Sequence, residues 1–217
     1  MQLESQVLRV RQQSARTQSA RSSRSLRPTN PLSSMPSGPE IQFLSLSDFE
    51  SRTQHAQIRA LLDSAFEGDF SDGDWQNSCG GWRILGFQGG RLVAHAALVG
   101  RSMLVDGTPV GVGYVEAIAV DPERQGQGIG VRMMQALNEL ANAEFELSML
   151  STGEQEFYAK TGWMRFAGQS FVAKDAFTWD SQRSADEDHS LMFLTRPGES
   201  TAGPLQVVCQ PRAGDAW

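Results

Sequence analysis

Three glycines, Gly126, Gly128 and Gly130, occupy alternate positions directly ahead of a helical apolar pattern, and Gln125 opens the run. Residues of this type at this spacing bind phosphate. Glycine lets a backbone come close to a ligand and enter turns closed to other residues. The unpaired N–H groups and positive dipole end of the following helix then meet anionic oxygens. Two phosphate loops are excluded. A P-loop needs Lys and then Ser or Thr after its last glycine, and here Gly130 is followed by Val131-Arg132. The dinucleotide fingerprint needs Gly or Ala three places after Gly128, where Val131 stands. Gln125, Gly126, Gln127, Gly128, Ile129 and Gly130 remain as the loop. Glu116 is the one acid in the apolar stretch 114–120 that leads to it, and Tyr158 lies beyond it in Glu154-x-x-Phe157-Tyr158-x-x-x-Gly162-Trp163.

The loop needs a strand before it and a helix after it. Tyr114 to Val120 alternates small and branched apolar residues, and Asp121-Pro122 ends that run because proline brings no amide to a ladder. Val131, Met134, Leu137, Leu140 and Ala141 recur at three- and four-residue steps, which predicts a helix. Upstream, 41–46 reads as a strand. Ser47-Asp48 offers a helix start, and Ile58, Leu61, Leu62, Ala65 and Phe66 mark one face of that helix. Gln88-Gly89-Gly90 joins strands 82–87 and 91–99, and Asp106-Gly107 joins 103–105 to 109–120. Beyond the central helix come a strand over 146–150, a loop at 151–153 and a short helix over 154–161. Strands over 163–172, 190–194 and 205–209 complete the pattern, with a polar loop before the second of them. Antiparallel strands followed by β-α-β-α-β make an α/β or α+β domain, with a mixed, mostly antiparallel central sheet flanked by helices.

Residues 1–40 hold six Arg against Glu4 and Glu40, four prolines and little that is apolar. That composition predicts a disordered tail ahead of a domain over 41–217. It also suits an organelle transit peptide, and Met35 offers a later start. The chain's 19 basic and 25 acidic residues leave 13 and 23 after position 40, a net of −10. An acidic body argues against nucleic acid and suits a cationic substrate, although solubility alone would account for it. The acids of 67–75, with Phe70 and Trp75, fit a cation-binding lip and equally a solvated turn. No stretch approaches the ~18 apolar residues of a membrane span. Cys79, Cys209, His55, His95 and His189 lack metal-ligand spacing, so no metal is expected, and the thiols suit a reducing, cytoplasmic setting.

Gln125-x-x-Gly128-x-Gly130 after a strand and an acidic turn resembles the acetyl-CoA pyrophosphate loop of the GCN5-related N-acetyltransferases (GNAT). The Phe157-Tyr158-x-x-x-Gly162-Trp163 segment resembles that family's helix beside the thioester sulfur. A narrower resemblance joins Gly68-Asp69-Phe70, Asp74-Trp75, Gly80-Gly81, Gly113-Tyr-Val-Glu116 and the terminal Arg212-Ala-Gly-Asp215-Ala-Trp217. These look like the bacterial aminoglycoside 2′-N-acetyltransferases. Two departures fall on the substrate side: the family's usual Met-His after the glycine pair is Trp82-Arg83, and the acid after the late cysteine is Gln210.

The resemblance implies direct acetyl transfer from acetyl-CoA to a polycationic amine, the 2′-amine of an aminoglycoside, which would inactivate the drug. Only a neutral amine attacks a thioester, so a base must take its proton and the leaving thiolate needs an acid. By resemblance Glu116 is the base, acting through water, and Tyr158 the acid. Backbone N–H groups at Ile118, Ala119 and Val120 are the donors toward the acyl oxygen. Asp69, Asp74, Glu116, Ala117, Ser151, Glu187, Asp215 and the carboxylate of Trp217 would face the acceptor. Another amine, such as a polyamine or peptide amine, is the alternative substrate. A non-catalytic acetyl-CoA-binding module is the alternative class, and it has no need of both Glu116 and Tyr158. Monomer and homodimer both fit the sequence.

Overall fold

A computed structural model of the chain describes residues 40–199 and 202–217, and the tail expected over 1–40 lies outside them except for Glu40. The first strand, β1 (Ile41–Ser47), is followed by a 3-10 turn over Glu50–Gln54 and helix α1 (His55–Ala65). The helix therefore starts later than Ser47-Asp48 suggested. The Ser47 backbone N–H and hydroxyl both donate to Glu50 Oε2, so that capping pair closes the 3-10 turn. The acidic stretch is not all loop, because Asp72–Asn77 forms helix α2.

Strands β2 (Trp82–Gln88), β3 (Arg91–Val105) and β4 (Thr108–Val120) form an antiparallel meander. Both hairpin turns place two consecutive residues at positive φ, Gly89-Gly90 and Asp106-Gly107, as the turn chemistry requires. The stretches expected separately at 91–99 and 103–105 are one strand, which pairs with β4 from Val105 back to Ala94 with one break in register. Helix α3 (Ile129–Glu144) crosses the sheet and buries Ile129, Met133, Met134, Leu137 and Ala141. Its inward face is thus rotated toward Ile129 and Met133, away from Val131. Burying Met134 and Leu137 fully is worth about 2 kcal/mol for each side chain.

Strand β5 (Leu147–Ser151) leads into the short helix α4 (Gln155–Ala159). The single strand expected over 163–172 is two, β6 (Met164–Arg165) on β9 (Leu191–Thr195), and β7 (Gln169–Ala173) on β10 (Gln206–Cys209). Gly168 separates them, and a Cβ there would stand 2.5 Å from the Leu205 carbonyl oxygen. The polar loop before β9 holds a further strand, β8 (Ser181–Arg183), paired with β7. The sheet order is β6-β9-β5-β4-β3-β10-β7-β8, with β1 and β2 extending from β3.

One junction matters most for the site. Parallel strands β4 and β5 pair only at Gly113–Ser148 and Tyr114–Met149. Beyond Tyr114 they part, and the edge of β4 facing β5 is left without a strand partner. Gly113 allows the close approach, because a Cβ there would lie 2.6 Å from the Phe145 ring and 2.7 Å from Ser148 Oγ.

Candidate active site

Strand β4 changes direction where it leaves β5. Ala97 is opposite Glu116 but His95 is opposite Ala119, so β4 carries an extra residue and bulges. Ala117 takes φ 51°, a left-handed conformation uncommon for a residue with a Cβ. The peptides from Glu116 to Val120 therefore lie on the opened side of the sheet, next to the glycine loop.

At that loop Gly126 and Gly128 have φ 76° and 77°, and Gly128 caps α3. A Cβ built on either would meet nothing within 4 Å, so their outer face is open. The helix ladder begins with Arg132 N–H donating to the Gly128 carbonyl at 3.2 Å. The N–H groups ahead of Arg132, including those of Ile129, Gly130 and Val131, are unclaimed by the helix, a cradle for phosphate oxygens. Gly130 has another task. A Cβ there would sit 3.2 Å from the Phe157 ring, so its absence lets α4 lie against the start of α3. Asn138 locks the contact, accepting from Trp163 Nε1 at 2.9 Å and donating to the Thr161 carbonyl at 2.7 Å. The base of the loop is held by Arg124, which donates to Asp121 Oδ2 at 2.8 Å and Gln88 Oε1 at 3.1 Å.

Tyr158 is thereby fixed beside the loop. Its ring is buried and meets Phe157 edge-on at 5.0 Å. Burial pushes its phenol well above the ordinary tyrosine range, against a smaller opposing effect of a hydrogen bond with Thr152. The shift favours the protonated phenol, which has a proton to give.

Glu116 carries the opposite demand. Burial raises its pKa above the ordinary carboxylate range, Arg212 lowers it by charge and hydrogen bond, and Asp215 raises it again. Arg212 Nη1 donates directly to Glu116 Oε1, and the two side chains are 16% and 17% exposed. Glu187, at the end of a 3-10 turn, is also raised, first by burial and then by the charge of Asp215. Ser151 Oγ reaches Ser190 Oγ at 3.0 Å, and Ser190 bonds the Glu187 carbonyl and Oε2 at 2.8 and 3.3 Å. The fold thus brings Glu116, Asp215, Glu187 and Ser151 into one neighbourhood.

The chain end is strapped over β3 and β4. Arg101 Nη2 donates to the Ala216 carbonyl at 2.8 Å, and Asn77 Nδ2 to the Ala213 carbonyl at 3.0 Å. Trp217 is buried, its indole N–H donating to Ser184 Oγ at 3.1 Å and its backbone N–H to Asp215 Oδ1 at 3.1 Å. Asp69 and Asp74 stand apart from this cluster in role. Asp69 is exposed, in the irregular segment before α2. Asp74 Oδ2 accepts from the Ser71 backbone and hydroxyl at 2.9 and 2.8 Å, closing the capping box of α2. Arg212, Arg83 and His95 received no role from sequence. Only Arg212 carried a local signal, as the first residue of the terminal motif. Among the described residues no group of three or more His, Cys, Asp or Glu side chains could hold a metal ion, and no helix is long and apolar enough to cross a membrane.

Residues 50–166 match the family model described as an acetyltransferase (GNAT) domain. The chain is 32% identical over 176 residues to an aminoglycoside 2′-N-acetyltransferase of Mycolicibacterium fortuitum, spanning 79% of this chain and 88% of that one. In structure it resembles the GNAT family N-acetyltransferase YhbS of Escherichia coli, solved with CoA. The TM-score is 0.59 at 12% identity, covering 84% of this chain and 93% of that one. A GNAT family acetyltransferase of Brucella melitensis, solved with acetyl-CoA, aligns with TM-score 0.51 and 17% identity over 76% of this chain and 93% of that one.

Proposed function

The chain belongs to the GNAT acetyltransferases, and from that premise we propose that it transfers the acetyl group of acetyl-CoA to the 2′-amine of an aminoglycoside. Acetyl-CoA is the donor, and its pyrophosphate lies on the N–H groups of Gln125 to Gly130. The acyl group lies along the opened edge of β4, where backbone N–H groups at Ile118 to Val120 face its carbonyl oxygen. Glu116 takes the proton of the attacking amine through water, and Tyr158 delivers a proton to the departing sulfur. Direct attack in a ternary complex accounts for both proton transfers without a covalent enzyme intermediate.

One observation carries the substrate class: the charge of Asp215 lies close enough to both Glu116 and Glu187 to raise their pKa, beyond the effect of burial on each. Such repulsion is relieved by a cation, and several ammonium groups on one sugar scaffold relieve it best. Asp69, Asp74 and the Trp217 carboxylate would widen the acceptor surface. The similarity to the M. fortuitum enzyme supports the aminoglycoside and the 2′ position.

The test is a thiol-release assay with acetyl-CoA against aminoglycosides, polyamines and peptides, with NMR of the product. Turnover confined to acceptors with a 2′-amine, acetylated there, is the expected result. Acetylation at another amine, or turnover only with polyamines or peptides, would replace the reading.

A further inference from the structure

The bulge that shapes β4 is held from behind by residues that the acetyl-transfer scheme leaves unused. His95, on β3, is wholly buried, and its Nδ1 lies 2.7 Å from the Ala117 carbonyl oxygen. Its Nε2 lies 2.9 Å from Arg83 Nη1. Arginine has donors and no acceptor, so Nε2 must accept, and the ring's one proton is on Nδ1, donated to Ala117. Burial and the Arg83 charge push the imidazole down to about 3, so this one tautomer persists across neutral pH.

Arg83 is itself wholly buried, an unfavourable place for a charge unless it is paired. Its Nε and Nη2 reach Asp48 Oδ1 at 2.9 and 2.8 Å, and its guanidinium lies 4.9 Å from the centre of the Trp75 ring. An apolar residue at 83 would fill the space without the charge. What arginine adds is a choice of imidazole tautomer and a fixed ring.

The consequence follows from the peptide bond. A trans peptide is planar, so its N–H points opposite to its C=O. Holding the Ala117 carbonyl on His95 turns the Ile118 N–H away from that ring. It also holds Ala117 in its left-handed conformation, which costs about 1–2 kcal/mol and persists only where the surroundings impose it. Glu116 is on the other side of the same residue.

We propose that His95, oriented by Arg83 and Asp48, is a positioning residue whose bond to Ala117 aims the Ile118 N–H at the thioester carbonyl. The proposal rests on the acetyl-transfer reading but not on the identity of the acceptor. The experiment uses the full chain with acetyl-CoA labelled with ¹³C at the acetyl carbonyl. In the parent, binding shifts the carbonyl resonance in the sense of a hydrogen-bonded oxygen. In His95→Leu the shift falls back toward the free value, and the preference for acetyl-CoA over CoA drops about two- to tenfold, the worth of one hydrogen bond. CoA affinity itself stays within about twofold, because the phosphate cradle is untouched. Arg83→Met moves the carbonyl shift in the same direction.

An unchanged shift and an unchanged acetyl-CoA preference in His95→Leu would overturn the positioning role, leaving the acetyl-transfer reading intact. Failure of the parent to bind acetyl-CoA would overturn the reading and the proposal together. A measurement on the parent needs no variant to fold: ¹⁵N shifts must report a neutral Nδ1–H imidazole for His95 throughout neutral pH. An Nε2–H tautomer, or titration in that range, would refute the proposal.

Discussion

In Arg212→Gln the Glu116 carboxylate loses the guanidinium that holds its charge, and the acid side of the pH–rate profile should move upward. Burial already raises the Glu116 pKa, and Arg212 is the largest influence holding it down. Removing Arg212 therefore lowers the ionised fraction of Glu116 at any given pH below saturation. Two unit charges about 4 Å apart attract by about 4 kcal/mol at an effective dielectric constant near 20. Exposure of 16% and 17% leaves little room for water to replace that contact. If only a third of the attraction is lost, about 1.4 kcal/mol, the change is tenfold. For that loss we expect kcat/KM for the acceptor to fall by up to about tenfold on the acid side of the profile and to recover toward the parent value as pH rises. The assay is steady-state thiol release across that range, taken as a ratio to the parent so that titration of the amine cancels. Arg212→Lys keeps the charge and should keep most of the acid-side rate. A loss of the same size at every pH would mean that Arg212 only shapes the chain end. An unchanged profile would mean that Glu116 is not the base.

Gly128→Asp puts a negative side chain at the φ 77° position where pyrophosphate would lie and should weaken acetyl-CoA binding by about tenfold or more in calorimetry, whereas Gly128→Ala carries the backbone strain alone. Tyr158→Phe should slow the single-turnover chemical step and leave acetyl-CoA affinity nearly unchanged, since the phenol enters only as a proton donor. Deleting residues 215–217, or converting the terminal carboxylate to an amide, should raise the acceptor KM and spare that of acetyl-CoA, with the difference shrinking at high salt. Asp48 is held below the ordinary carboxylate range, burial opposing the shift but the Arg83 hydrogen bond and charge outweighing it. Its stabilisation is therefore present above its unfolded pKa of about 3.9 and lost as pH falls through the folded value. Asp48→Asn should cost about 3 kcal/mol at neutral pH by leaving Arg83 buried and unpaired, and the gap to the parent should close in acid, as read by thermal melts.

What was legible from sequence was what short-range chemistry decides. Glycines at 126 and 128 do take positive φ, and the helix follows at Ile129. Gly89-Gly90 and Asp106-Gly107 do form hairpins, because two consecutive left-handed residues leave few other choices. The helix within the acidic stretch was legible too, since Ser71-x-x-Asp74 is a capping signature, but the density of charge masked it. The break in 163–172 was hidden, since it depends on a distant carbonyl at Leu205. Arg212 meets Glu116 across 96 positions, and His95 meets Ala117 only because β4 bulges against β3. A partner chosen by sheet register leaves no local trace.

If Glu116 is the base, as proposed, these long-range contacts bear on how it can work where burial favours the protonated form. A base in water would be charged but surrounded by competing solvent. A base buried alone would hold its proton and do nothing at neutral pH. At Glu116 the Arg212 guanidinium opposes the effect of burial, although the net shift is still upward. The neighbouring Asp215 works against that arrangement, since its charge raises Glu116, and it raises Glu187 as well. An acceptor bearing ammonium groups lowers the energy of all three carboxylates on arrival, which a neutral monoamine cannot do. On the proposed reading, discrimination in favour of polycations would arise in the empty site itself, from the charge that Asp215 sets beside Glu116 and Glu187.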